Sequence, residues 1–161
     1  MMPVFVRKWN FLNKPLDFRK NLFGERIFGS HKTWRGLVFG VLGGIVAVEI
    51  QRFLGRFAFF NALNILDYHT VPVIFFGALL GFGVLFGDAV GSFVKRRIGI
   101  TPGKSFMPFD QIVAPLGAML FILPYYIVSW QFFVAALAVS FFAHLIIKYI
   151  GYLLKFERRK F

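Results

Sequence analysis

Long apolar stretches alternate with polar segments along the 161 residues, and the alternation predicts the architecture before any single residue does. Apolar runs of roughly twenty residues recur, each long enough to cross a ~30 Å hydrocarbon core as a helix. They predict four transmembrane helices, over about 36–54, 71–94, 110–128 and 132–154. Pro72 fits the first turn of the second helix, where its missing N–H costs nothing. Pro115 and Pro124 mark kink points in the third. Glycines recur every four positions, at Gly36, Gly40 and Gly44 and again at Gly83, Gly87 and Gly91. Such rows let helix backbones approach closely, either within one subunit or at the seam of a homodimer.

Residues 1–35 break the pattern. They are polar and basic with interleaved aromatics, among them Trp9, Phe18, Phe28 and Trp34, and read as a partly helical segment on the membrane surface. The fold class is therefore an all-α polytopic membrane protein, one domain over 1–161, with this surface segment and a second polar loop at 95–109.

Composition agrees with that reading. The chain is 58% hydrophobic and 16% charged, against about 25% charged in ordinary soluble domains. The net charge of +12 is unevenly placed: sixteen of the nineteen Lys and Arg fall in 1–35, 95–104 and 155–160. Four spans put those three segments on one side, and the positive-inside bias makes that side cytoplasmic. Tyr125, Tyr126 and Trp130 fall where an outer aromatic belt belongs. The expected location is the plasma membrane, with any active site on its cytoplasmic face. A basic surface there attracts anionic headgroups and polyphosphates. No soluble basic domain exists to carry nucleic acid. The chain has no Cys, which excludes disulfides and thiolate chemistry.

Candidate chemistry concentrates in Gly87–Gln111, GDAVGSFVKRRIGITPGKSFMPFDQ. Asp88 lies inside an apolar stretch, where an unpaired carboxylate is expensive, and Asp110 opens the next one. Asp88, Ser92 and Lys95 share one helix face by their spacing. Two antiparallel helices joined by this loop bring both carboxylates near a common divalent ion, for which hard oxygen ligands favour Mg²⁺. The alternative is a structural ion pair between Asp88 and Lys95 or an arginine. Gly103-Lys104-Ser105 matches the end of a phosphate loop, but Gly99 is one residue too close and no strand precedes it. The Gly103 amide and the Lys104 ammonium can still grip phosphate without that fold.

A second constellation, Ser30-His31-Lys32-Thr33-Trp34-Arg35-Gly36, precedes the first helix, whose N-terminus favours an anion. Juxtamembrane anchoring explains the same residues. His144 and Lys148 lie one turn apart on the last helix, the first as an interhelical hydrogen-bonding group and the second snorkelling to the surface. No Ser-His-Asp order or His-rich metal spacing appears.

HKTWRG, GDAVGSFVKRR and PGKSFMPFDQ together resemble the CDP-archaeol synthase family of archaea, and the second part also resembles the wider phosphatidate cytidylyltransferases. The resemblance covers roughly 14–36 and 87–111. It implies a Mg²⁺-dependent cytidylyltransferase that joins CTP to an isoprenoid glycerol phosphate, 2,3-di-O-geranylgeranylglyceryl phosphate, releasing pyrophosphate. Asp88 and Asp110 become the metal ligands, with Lys95 and Lys104 beside them in catalysis. Lys32, Thr33, Arg35, Ser92, Arg96, Arg97, Gly103, Ser105 and Gln111 become the cradle for the CTP phosphates. Two departures stand out. Val113 occupies a place where the family commonly has a further acid, and a preceding hydrophobic helix of the family pattern is not apparent before residue 14. A CDP-diacylglycerol synthase, or a non-enzymatic transporter or assembly protein, is the rival reading.

Overall fold

The computed structural model describes residues 12–153 except 13, 23, 29–31, 65, 69, 102, 103, 105 and 128. Residues 1–11, the basic tail 155–160, Gly103, Ser105, Ser30 and His31 lie outside the described residues, as do the side chains of Glu25 and Lys148. Two short antiparallel strands, β1 (Asn21–Leu22) and β2 (Glu25–Arg26), precede five helices: α1 (Trp34–Leu54), α2 (Ala58–Asn61), α3 (Val73–Arg97), α4 (Phe109–Ile122) and α5 (Trp130–Leu153). Helices α1 and α4 pack on either side of α3, and α5 packs on α4.

Three of these helices are long and apolar enough to span a membrane: α1, α3 and α5. The third expected span is shorter than the sequence suggested. Helix α4 has 14 residues, about 21 Å at 1.5 Å per residue, and it ends before a turn at 123–125 instead of running to 128. Pro115 sits inside α4, whereas Pro124 lies beyond its end. A proline two residues past a helix end cannot continue it, so Pro124 acts as a stop and not a kink. Pro72 is the N-cap of α3, just outside the first turn in which it was expected.

The glycine rows bring the backbones of α1, α3 and α4 into contact within the chain. A Cβ on Gly87 would lie 2.1 Å from the Val113 carbonyl oxygen of α4, and one on Gly44 would lie 2.4 Å from the Gly77 carbonyl oxygen of α3. Both contacts are backbone to backbone, so no side-chain rotation relieves them. The rows serve packing inside one subunit, the first of the two readings the spacing allowed.

The surface segment is not helical over its described residues. It folds as the β1–β2 hairpin, with the chain before it laid antiparallel to the entry of α1: Leu16 N–H donates to the Lys32 carbonyl at 2.8 Å and Trp34 N–H to the Lys14 carbonyl at 3.1 Å. Asp17 organises the turn. Its carboxylate is 4% exposed and accepts from the Arg19 N–H (3.0 Å), the Arg26 guanidinium (2.7 Å) and the Phe28 N–H (3.4 Å). A local acceptor that captures backbone N–H groups two and eleven residues on competes with helix formation. Burial alone would raise the Asp17 pKa, but Arg26 and the backbone donors outweigh it and hold the carboxyl below the usual aspartate range.

Candidate active site between two lysine–aspartate pairs

The polar ends of three helices converge at one end of the bundle. Helix α1 begins there, capped by Thr33, whose hydroxyl accepts from the Gly36 N–H at 3.2 Å. Helix α3 ends there in Lys95, Arg96 and Arg97, three cations placed where the helix dipole favours them. Gly99, at φ +76°, then reverses the chain, with its N–H on the Arg96 carbonyl (3.3 Å) and the Ile100 N–H on the Lys95 carbonyl (2.9 Å). That pair of bonds is a Schellman closure, which only a residue tolerant of positive φ completes without strain. Helix α4 starts from the same loop, with Asp110 in its first turn.

Both predicted carboxylates are here, and each meets a lysine. Asp88 pairs with Lys32 from the approach to α1, and Asp110 pairs with Lys95 of α3 at 2.7 Å. The sequence alternative of an Asp88–Lys95 pair is therefore corrected: Lys95 turns to α4 and Lys32 takes its place. The two acids also differ in setting. Asp88 is on the open side of α3 with its side chain 52% exposed, while Asp110 is largely enclosed and also accepts from the Phe106 N–H at 2.9 Å.

The other expected site residues divide into three groups. Ser92, Arg96 and Gln111 are buried among the polar ends of α3 and α4. The Ser92 hydroxyl donates to the Asp88 carbonyl at 2.9 Å, and Arg96 donates to the Ile100 carbonyl. Gln111 is 2% exposed, yet neither its amide nitrogen nor its amide oxygen has a partner among the described residues. Burying an amide without hydrogen bonds costs roughly 1–3 kcal/mol, so a polar partner at this amide would be favourable by about that much. Lys104 is exposed on the loop. Arg97 donates to the Leu22 carbonyl at 2.6 Å and lies over the Phe93 ring, so it docks the hairpin on α3. Arg35 is buried at the start of α1, its N–H on the Leu12 carbonyl. His144 is exposed on α5.

Asp17 and Arg26 were missed from the sequence, although they fix the hairpin that presents Lys32. The signal was present in Asp17 followed two residues later by the backbone it captures, a pattern that favours turns. A cavity of about 450 Å³ lies elsewhere, between the far end of α1 and the 61–68 connection. It holds no part of either lysine–aspartate pair.

Two carboxylates are a partial donor set. No group of three His, Cys, Asp or Glu that could hold a metal exists among the described residues. Mg²⁺ characteristically takes one or two carboxylates and completes its shell with water and substrate phosphates, so the residues present fit an ion that arrives with a polyphosphate.

Comparison with known proteins decides the family. The sequence profile of the CarS-like CDP-archaeol synthases matches residues 11–161. The chain belongs to the CDP-archaeol synthase family. Similar members include the CDP-archaeol synthase of Archaeoglobus fulgidus, 37% identical over 152 residues, covering 89% of this chain and 82% of that protein. The CDP-archaeol synthase of Methanocaldococcus jannaschii is 36% identical over 143 residues, covering 86% and 78%. A solved structure described as an intramembrane enzyme for archaeal membrane lipids biosynthesis superposes with a TM-score of 0.70 at 29% identity, covering 91% of this chain and 83% of that one. Family membership makes this chain a membrane-embedded enzyme of lipid synthesis, and sets aside the transporter and assembly-protein readings.

Proposed function

We propose that this CDP-archaeol synthase family member transfers CMP from CTP to an isoprenoid ether-lipid phosphate at the cytoplasmic membrane face. The observation that carries the reading is the convergence of Asp88, Asp110 and their lysines with the unsatisfied Gln111 amide at one polar end of an apolar bundle. Asp88 and Asp110 would hold Mg²⁺, which when bound offsets the negative charge of the triphosphate.

The chain's own residues do the rest. Lys95 and Lys32 neutralise the two carboxylates in the absence of substrate. On nucleotide binding Lys95 moves from Asp110 to the phosphates, joined by Arg96 and by Lys104 from the loop. This exchange keeps charge balanced, since each carboxylate gives up an ammonium as the metal-bound polyphosphate arrives. The Gln111 amide donates and accepts at the ligand, ending its buried isolation. An oxygen of the lipid phosphate attacks the α-phosphorus, and the bond from that phosphorus to the bridging oxygen of the β-phosphate breaks. Pyrophosphate leaves. The nucleophile is already an anion near neutral pH, so no strong general base is required; positioning and charge stabilisation supply the acceleration.

The test is purified protein with labelled CTP, Mg²⁺ and either an ether or an ester lipid phosphate. Labelled CDP-lipid and pyrophosphate form with the ether substrate. Product from the ester lipid alone would reassign the enzyme to phosphatidate. No product with either lipid, in protein that retains its fold, would overturn the reading.

A further inference from the structure

We propose that the cleft between α1 and α3 beneath Lys32 seats the first part of one hydrocarbon chain of the lipid phosphate. The lipid then reaches Asp88 from the α1 side, and the nucleotide occupies the α4 side with Asp110. This rests on the proposed transfer reaction and refines it. It separates the two substrates, and it moves Lys32 and Thr33 from the nucleotide cradle to the lipid phosphate.

The cavity itself carries the inference. About 340 Å³ lies between the hairpin, α1 and α3. Lys32, Thr33 and Asp88 form its polar end, and Leu37, Phe82, Leu85, Phe86 and Ala89 are among the apolar groups that form its walls. A polar head continuous with an apolar wall is the shape of an amphiphile, with the Lys32 ammonium placed for a phosphate. Asp110 is enclosed by Lys95 and the Phe106 N–H, beside buried Ser92, Arg96 and Gln111, a setting for a polar ligand. Arg35 does not line the cavity, so it takes no part in seating the lipid.

Size limits what fits. At about 30 Å³ for a water-sized group, the cavity holds roughly eleven such groups. That is part of one isoprenoid chain and not two, so the rest of the lipid extends along the membrane-facing surface, where Phe82 and Phe86 are exposed. Occupancy also requires the Lys32–Asp88 pair to open, because the phosphate replaces the carboxylate at the ammonium.

Leu37→Trp on α1 and Ala89→Leu on α3 narrow the cleft from opposite walls. With the full-length isoprenoid lipid phosphate, each raises the apparent KM for lipid about tenfold or more, leaves the KM for CTP unchanged, and handles a short-chain lipid phosphate as the wild type does. Equal losses on long and short lipids, or no loss on the long one, would overturn the proposal. Native mass spectrometry of lipid phosphate bound to the wild type and both variants separates this proposal from the reaction it rests on. Wild-type binding that both variants lose, without turnover by any of them, supports the cleft while removing the cytidylyl-transfer reading. Wild-type turnover with long-chain binding kept by both variants removes the cleft alone. Retention of a neutral membrane lipid that the lipid phosphate does not displace would also overturn it.

Discussion

Two lysine–aspartate pairs tie α3 to different neighbours, one to the approach to α1 and one to α4, and they are built for different work. The Lys95–Asp110 pair joins neighbouring helices at 2.7 Å, is mostly enclosed, and has a backbone N–H behind it. The Lys32–Asp88 pair reaches from a surface strap to an acid that is half exposed over an apolar cleft. The first pair supports the fold as well as the chemistry. The second is a contact that opens at little structural cost. Exposed ion pairs contribute only about 0–1 kcal/mol, whereas breaking an enclosed pair leaves a charge poorly solvated. The same two residue types thus give an enclosed side and an exposed side to one site.

The largest effects should be on chemistry and should not distinguish the sides. Asp88→Asn and Asp110→Asn each lower the rate of labelled CDP-lipid formation by more than tenfold, about 1.4 kcal/mol or more. Near-wild-type rates in either variant would break the pairing of the two acids in one site.

Stability should distinguish them. Lys95→Met removes the partner of the enclosed carboxylate and destabilises the protein in detergent by about 1–2 kcal/mol, read as a lowered melting temperature. Lys32→Met leaves the melting temperature nearly unchanged. Equal shifts in the two variants would erase the proposed contrast.

Kinetics sharpen the assignment of substrates to sides. Lys104→Ala raises the KM for CTP several-fold with little effect on the KM for lipid, in steady-state assays varying each substrate in turn. A rise confined to lipid would put the loop on the other side of the site.

The smallest effect concerns the hairpin that presents Lys32. Because the folded Asp17 pKa is lowered, its contribution is fully present above the ordinary aspartate value of 3.8 and is lost as pH falls through the lower folded value. Asp17→Asn removes that contribution at neutral pH. The expected result is faster amide exchange in residues 16–28 with little change in α3 and α4. Unchanged exchange in the hairpin would contradict the role given to Asp17.

The sequence made the long elements legible because membrane burial imposes a pattern that few residues can satisfy. Helices α1, α3 and α5 begin and end within about three residues of the apolar stretches that predict them. Helix α4 was overextended because Tyr125 and its neighbours are apolar enough to continue a span, while Pro124 stops the backbone. The hairpin was invisible for the opposite reason. It has no periodicity, and its order comes from one buried carboxylate and the donors it gathers. Within the site, charge and spacing brought Asp88 and Asp110 forward. Their lysine partners did not follow, since Lys32 lies 56 positions from Asp88 and only tertiary packing unites them. Gln111 was marked by resemblance alone, and its isolation became visible only once its burial was known.

The central claim is that these two unlike sides hold one ion together with the nucleotide. Mn²⁺ binding, followed by electron paramagnetic resonance in the presence of CTP, tests it without turnover. The account predicts that wild-type protein binds the ion in a CTP-dependent manner and that Asp88→Asn and Asp110→Asn each weaken that binding at least tenfold. Wild-type Mn²⁺ affinity retained in either variant would contradict it.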